Sequence, residues 1–240
     1  MHQKRALIIA HEPDGPGGQV AVRLSERGYE IVTHVVTPDA TKPSVAAPWP
    51  DFAAFDVVAV MGSIRSLTNR DEISSWISDE LDLLRDAYRR GQPVLGVCFG
   101  AQLIADALGG SVTLAPETEM GWYNISPAGD ATNPVGSGPW MQWHHDRFTV
   151  PPGAKLLAST DAAPQLFTIG RMVATQFHPE VDTDHVATWL NFVDDSYLAE
   201  YGQTKANLAG AMAAHNASNT VNCHALVDWF LESTGAEPTA

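Results

Sequence analysis

Pro93-Val-Leu-Gly-Val-Cys-Phe-Gly-Ala-Gln102 runs from a short apolar segment through a glycine-flanked cysteine into Ala101 to Leu108, which reads as a helix closed by Gly109-Gly110. A continuous apolar run without polar alternation fits a strand covered on both faces, as parallel sheets require. Working outward, Asp56-Val-Val-Ala-Val-Met61 is a second such run and stops at Gly62-Ser63. Ala6 to Ala10 and Tyr29 to Val36 read as two more strands, separated by a Pro/Gly-rich turn and a helix-like segment carrying Val20 and Leu24 up to Gly28. From Asp71 to Arg90, Ile73, Trp76, Ile77, Leu81, Leu84 and Tyr88 recur at helical spacing, with Gly91 where a C-cap glycine belongs. Strand and helix alternate, which predicts an α/β fold: an open, mostly parallel sheet flanked by helices.

Between Ser111 and Thr175 the pattern changes to short strand-like runs around Val112, Trp122, Met141, Leu156, Leu166 and Val173, expected to be hairpins added to the sheet. Three helix-like stretches follow, near 183–200, 203–215 and 221–233. The expected organisation is a catalytic domain over 1–182 and a C-terminal helical extension over 183–240 packed on it, with Trp189, Phe192 and Val193 on the core face of a helix.

Acids outnumber bases 28 to 14, for a formal charge of −14, which disfavours nucleic acid and anionic membrane surfaces as partners. Nine of those acids, against the single base Lys205, lie after Arg171; they read as a solvated helical surface or, more sharply, a docking face for a basic partner. No run reaches the ~18 apolar residues of a membrane span, and the apolar core after Met1 is too short for a signal peptide, so the expected location is the cytoplasm. The two cysteines, Cys98 and Cys223, sit in unlike surroundings and do not suggest a disulfide scaffold. Cys223, among Val221, Leu226 and Trp229, reads as a small buried hydrophobe.

Cys98 is different. A cysteine on a tight strand-to-helix turn is a nucleophile elbow with sulfur in place of oxygen, and the helix N-terminus behind it stabilises a thiolate. Such a nucleophile needs a base, and the base an orienting carboxylate. Gln176-Phe-His-Pro-Glu180 offers both, since His178 and Glu180 are two residues apart and share a face in extended geometry. A developing oxyanion needs backbone N–H donors, for which Gly62 and Phe99 are the candidates. His144, His145 and Asp146 could be drawn into a metal site with His178 and Glu180, but adjacent residues point to opposite faces and no regular ligand spacing is present; a wall of the substrate pocket is the preferred reading, with no metal and no cofactor.

Taken together, Gly62, the Gly-x-Cys-x-Gly-x-Gln pattern over 96–102, Ala107-Leu-Gly-Gly110, Gly121-Trp122 and His178-Pro-Glu180 resemble the class I, or triad, glutamine amidotransferase family, from about Ala6 to Asp182. Trp143-His-His-Asp146 is similar to its stand-alone, GMP-synthase-like members. The resemblance implies a flavodoxin-like sheet and hydrolysis of a γ-glutamyl amide, glutamine to glutamate and ammonia, through a thioester on Cys98, with His178 as acid and base and Glu180 orienting it. It also implies a substrate-binding role for Gln102, with Trp143 and His144 beside the substrate. Ala101 departs from the family, where histidine is common. No synthetase domain is fused, so ammonia is either passed to a separate synthetase subunit or released. Two further readings stay open: a γ-glutamyl peptidase acting on a substituted γ-glutamyl amine, and a non-catalytic regulatory subunit that keeps the fold.

Overall fold

The computed structural model describes residues 3–237. Five strands form the parallel part of one sheet: β1 (Arg5–Ala10), β2 (Glu30–Val35), β3 (Val57–Val60), β4 (Val94–Val97) and, far along the chain, β10 (Met172–Thr175). Their order is β2-β1-β3-β4-β10, all parallel, and β9 (Pro164–Ile169), β8 (Lys155–Ser159) and the two-residue β6 (Ser126–Pro127) extend it antiparallel. The expected α/β architecture is what the chain adopts. β3, β4 and β10 are buried at every position, which explains their unbroken apolar character.

Helices cover both faces. α1 (Gly18–Glu26) packs with one face's core, which includes Ala6, Ile8, Val57 and Leu95; α2 (Ile77–Arg89) and α3 (Phe99–Ala107) pack with the other, which includes Leu7, Ile9, Val58 and Val60. The helix read from Asp71 is shorter than expected: Arg70–Ile73 is a separate 3-10 turn, and the α-helix begins only at Ile77.

The region 111–175 also departs from the expectation. β5 (Val112–Tyr123) and β7 (Trp140–Phe148) form their own antiparallel two-stranded ribbon, outside the main sheet, and Val173 lies in the parallel strand β10. The ribbon still reaches the sheet's end, because the His178 N–H donates to the Met141 carbonyl at 2.8 Å.

The C-terminal helices are α4 (Thr183–Phe192), α5 (Asp195–Glu200) and α6 (Lys205–Ser233). The two stretches expected at 203–215 and 221–233 are one continuous helix. Asn219, a weak helix former within it, turns inward, and its side-chain amide donates to the carbonyls of Pro179 at 3.1 Å and Val181 at 2.8 Å. Leu226, Val227, Phe230 and Leu231 of α6 share one apolar cluster with the sheet and α1. Cys223 is buried in that cluster as expected, whereas its sequence neighbour Val221 is exposed. Two acids of the tail pair with bases of the N-terminal part: Asp228 with Arg23 at 2.6 Å and Arg27 at 3.7 Å, and Glu237 with Arg27 at 2.8 Å.

Candidate active site

Cys98 caps the N-terminus of α3 at φ 51°, ψ −104°, and among the described residues it is the one non-glycine residue with positive φ. Such a conformation costs about 1–3 kcal/mol and persists only where the surroundings impose it. Here two glycines let α3 press against the sheet: a Cβ on Gly96 would lie 2.6 Å from Ile104 Cδ1, and one on Gly100 would overlap the Val60 carbonyl. The Cys98 N–H donates to the Thr175 carbonyl at 2.7 Å, tying the elbow to the strand that leads to His178. The cysteine side chain is nearly buried, at the floor of a cavity of about 920 Å³, rather than standing exposed.

His178 and Glu180 come together as expected, with Nδ1 to Oε1 at 2.7 Å. Burial alone would lower the His178 pKa, but the Glu180 carboxylate and the Cys98 sulfur hold it well above the ordinary imidazole value. The loop carrying the pair is held from both sides: the Gln19 N–H donates to the Glu180 carbonyl at 2.9 Å, and Asn219 grips the carbonyls on either side of Glu180. Gly62, just past β3, closes the group. A Cβ there would sit 3.0 Å from His178 Cε1 and 3.7 Å from Cys98 Cβ, so the position admits little more than glycine. Phe99 starts α3, with its side chain buried in the core.

Gln102 borders the cavity, and its amide donates to Gln176 Oε1 at 3.2 Å; the Gln176 amide in turn approaches Cys98 Sγ at 3.6 Å. Gln176 was not singled out from the sequence, although it stands two residues before His178. Trp143 borders the cavity and its indole N–H donates to the Tyr197 hydroxyl at 3.3 Å. His144 differs from the expectation. It touches the cavity, but its nitrogens are committed to Glu119 at 2.9 Å and to the Asp146 carbonyl at 2.9 Å, leaving none for a ligand. His145, on the other face of the strand, bonds to the Tyr197 hydroxyl at 2.7 Å and Thr118 at 2.9 Å and also borders the cavity. Among the described residues no group of three or more His, Cys, Asp or Glu side chains is placed to hold a metal ion.

Two features were not legible in the sequence. One is a further buried pair, His11 with Glu80, Nε2 lying 3.2 Å from both carboxylate oxygens while Nδ1–H donates to the Gly62 carbonyl at 3.1 Å. The other is the cavity wall made by the C-terminal helices. Trp189 stands edge-on to the His178 ring, centroids 5.1 Å apart, and its indole N–H donates to the Asp14 carbonyl at 3.1 Å. Phe192, expected in the core, is 74% exposed and lines the cavity, as do Val193 and Tyr197; α4 ends at Phe192, and the chain turns there instead of burying it.

A family profile described as "Glutamine amidotransferase class-I" matches residues 19–191, a span that takes in Trp189. A glutamine-hydrolysing GMP synthase of Aromatoleum aromaticum is 37% identical over 113 residues, 40% of this chain and 22% of that protein; the counterpart in Methylococcus capsulatus is 39% identical over 106 residues, 38% of this chain and 20% of that one. The match thus spans about a fifth of the length of these relatives. Among solved structures, a glutamine amidotransferase from Thermotoga maritima superposes with a TM-score of 0.81 at 21% identity, covering 97% of this chain and all of that one. One from Methylobacillus flagellatus gives 0.79 at 21%, covering 97% and 95%. With the family profile matching most of its length, this chain belongs to the class-I glutamine amidotransferase family.

Proposed function

We propose that the protein hydrolyses a γ-glutamyl amide through a thioester on Cys98. The observation that carries this is the strained Cys98 elbow on a cavity floor, with the His178–Glu180 pair and Gly62 packed beside it. In this scheme Cys98 attacks the γ-carbonyl carbon, and the positive end of α3 favours the negative sulfur. The backbone N–H groups of Gly62 and Phe99 receive the oxyanion. His178 passes a proton to the leaving nitrogen as the C–N bond breaks; it then takes one from the water that cleaves the thioester, and glutamate leaves as the C–S bond breaks. Glu180 holds the imidazole in the required tautomer. Gln102 and Trp143 are proposed as substrate contacts; His144 is not.

The two parts of the chain divide the work. Residues 1–182 supply nucleophile, base and oxyanion turn, while 183–240 add the aromatic wall and, through Asn219, a brace for the His178–Glu180 loop. A cytoplasmic location, with release of the amine product by the protein acting alone, completes the proposal; among the described residues no helix is long and apolar enough to cross a membrane. The relatives from Aromatoleum aromaticum and Methylococcus capsulatus are named as GMP synthases, so transfer of ammonia to a separate synthetase subunit is the competing arrangement. The deciding experiment measures glutamate release from glutamine and substituted γ-glutamyl amides by the purified protein, with Cys98→Ala as control. Turnover lost in the variant supports the proposal; turnover that appears only with an added synthetase favours the competing one.

A further inference from the structure

The cavity is lined by two unlike walls. One is polar: Glu12, accepting from the Ser63 hydroxyl at 2.9 Å, faces Arg65 at 3.6 Å, and Asp146 is held by Ser66 and Thr68. The other, beside His178, is aromatic: Trp189 lies edge-on to the imidazole, Trp143 lies edge-on to Trp189 with centroids 5.9 Å apart, and Phe192 is offered to solvent. Ile64 and Leu114, also on the lining, are strongly exposed. Large apolar side chains gathered at the mouth of one cavity mark a surface that something covers. Glutamine, with about ten non-hydrogen atoms, fills less than about a third of 920 Å³ at ordinary packing density.

The chemistry fixes which wall receives which part of the substrate. A general acid must be within hydrogen-bonding reach of the nitrogen it protonates, so any substituent on that nitrogen starts beside His178. The neighbour of the imidazole on the cavity side is Trp189. The zwitterionic glutamyl end then belongs with the polar wall.

We propose that Trp189, Trp143 and Phe192 form a leaving-group subsite that makes γ-glutamyl amides of bulky apolar amines, arylalkylamines above all, the preferred substrates over glutamine. This rests on the Cys98 amidase reading and deepens it. The reaction balances as a simple hydrolysis: the amide C–N bond breaks, the amine takes the proton carried by His178, and water supplies the hydroxyl of glutamate. Asp14 also lines the cavity, its carbonyl accepting from the Trp189 indole, so a cationic amine is the occupant that the test must separate from an apolar one.

The test compares kcat/KM for glutamine, γ-glutamylmethylamide, γ-glutamylbenzylamide and γ-glutamylputrescine with the purified protein, with Cys98→Ala as a blank. The expected result is at least a tenfold preference for the benzylamide over the methylamide, roughly what burying an aromatic ring in an apolar pocket provides. Phe192→Ala, at an exposed position, should pull the benzyl-to-methyl ratio towards one. Glutamine turned over as well as the benzylamide overturns the subsite while leaving the amidase reading intact; a preference for the putrescine conjugate overturns the apolar class. No turnover of any of the four overturns both.

Discussion

Among the described residues three imidazole–carboxylate pairs are buried, His144–Glu119, His11–Glu80 and His178–Glu180, and the last two are set up for opposite work. His11 and Glu80 are fully enclosed between β1, α2 and α3, with His11 stacked on Trp76 and edge-on to Phe99. Both ring nitrogens are occupied, one by Glu80 and one by the Gly62 carbonyl. In His178–Glu180 one nitrogen is held by the carboxylate at 2.7 Å while the ring borders the cavity that Cys98 also borders. An imidazole with both nitrogens committed inside the protein is a structural element. One with a nitrogen facing a nucleophile and an open cavity can move a proton. The pairing alone therefore says little, and what the second nitrogen meets says most.

Disabling the cavity-facing set should separate the two pairs most widely. Cys98→Ala and His178→Ala are each expected to reduce turnover by on the order of 10⁵-fold or more, with folding retained, as for other nucleophile–base sets. Measured rates on a γ-glutamyl amide beside an unchanged melting curve would check this. Glu180→Gln should cost about 10³- to 10⁴-fold, less than loss of the base, because it orients the proton carrier without replacing it. If Glu180→Gln were the more damaging of the two, the proton carrier would have to be sought elsewhere, with His145, which borders the cavity and is not committed to a carboxylate, next in line.

At the enclosed pair the effect should move from rate to stability. His11→Ala leaves the Glu80 carboxylate unpaired at a site without solvent, and should lower stability by roughly 3–5 kcal/mol, while turnover per folded molecule falls far less than in His178→Ala. The pH dependence has a definite sign. Burial lowers the His11 pKa, but Glu80, helped by Glu12 and the Gly62 carbonyl, raises it to a net value above 6.5; His34, the other imidazole nearby, is itself pushed down by burial. A group whose folded pKa is raised contributes fully below its unfolded value, and that contribution is lost as pH rises through the folded one. The stability gap between the wild type and the double variant His11→Gln, Glu80→Gln should therefore narrow as pH rises above 6.5 and through the higher folded pKa. A gap that widened over that range would mean that His11 is neutral in the folded protein.

The smallest effect is expected at the other cysteine. Cys223 is enclosed by the core, and burial, with the Glu180 charge, pushes its thiol well above the ordinary range. Cys223→Ser should leave turnover nearly unchanged and cost about 1–2 kcal/mol for a buried hydroxyl without an arranged partner. An activity loss matching that of Cys98→Ala would remove the distinction between the two thiols.

What could be read from the chain beforehand followed from sequence distance. β1, β3, β4 and the Cys98 elbow announce themselves because a doubly buried strand and a glycine-flanked turn impose their residues locally, and His178-Pro-Glu180 is one short motif. His11 and Glu80 are 69 positions apart, on elements whose register no single sequence reveals. The β5–β7 ribbon was read as part of the main sheet because alternation indicates a strand but does not name its neighbour. Phe192 was assigned to the core from its spacing after Trp189; the helix stops at that residue, and the cavity, itself a long-range product, takes the side chain. The continuity of α6 hinged on Asn219, a poor helix former whose value lies in two carbonyls forty positions away.

The contrast between the open and the enclosed site is tested most directly by labelling at neutral pH with a glutamine-mimicking diazo-ketone, followed by peptide mass mapping of the modified residue. A single adduct on Cys98, formed rapidly in the wild type and slowly in His178→Ala, is the expected result, with Cys223 untouched. An adduct on Cys223, or a wild-type protein that turns over γ-glutamyl amides while Cys98 stays unmodified, would contradict Cys98 as the nucleophile.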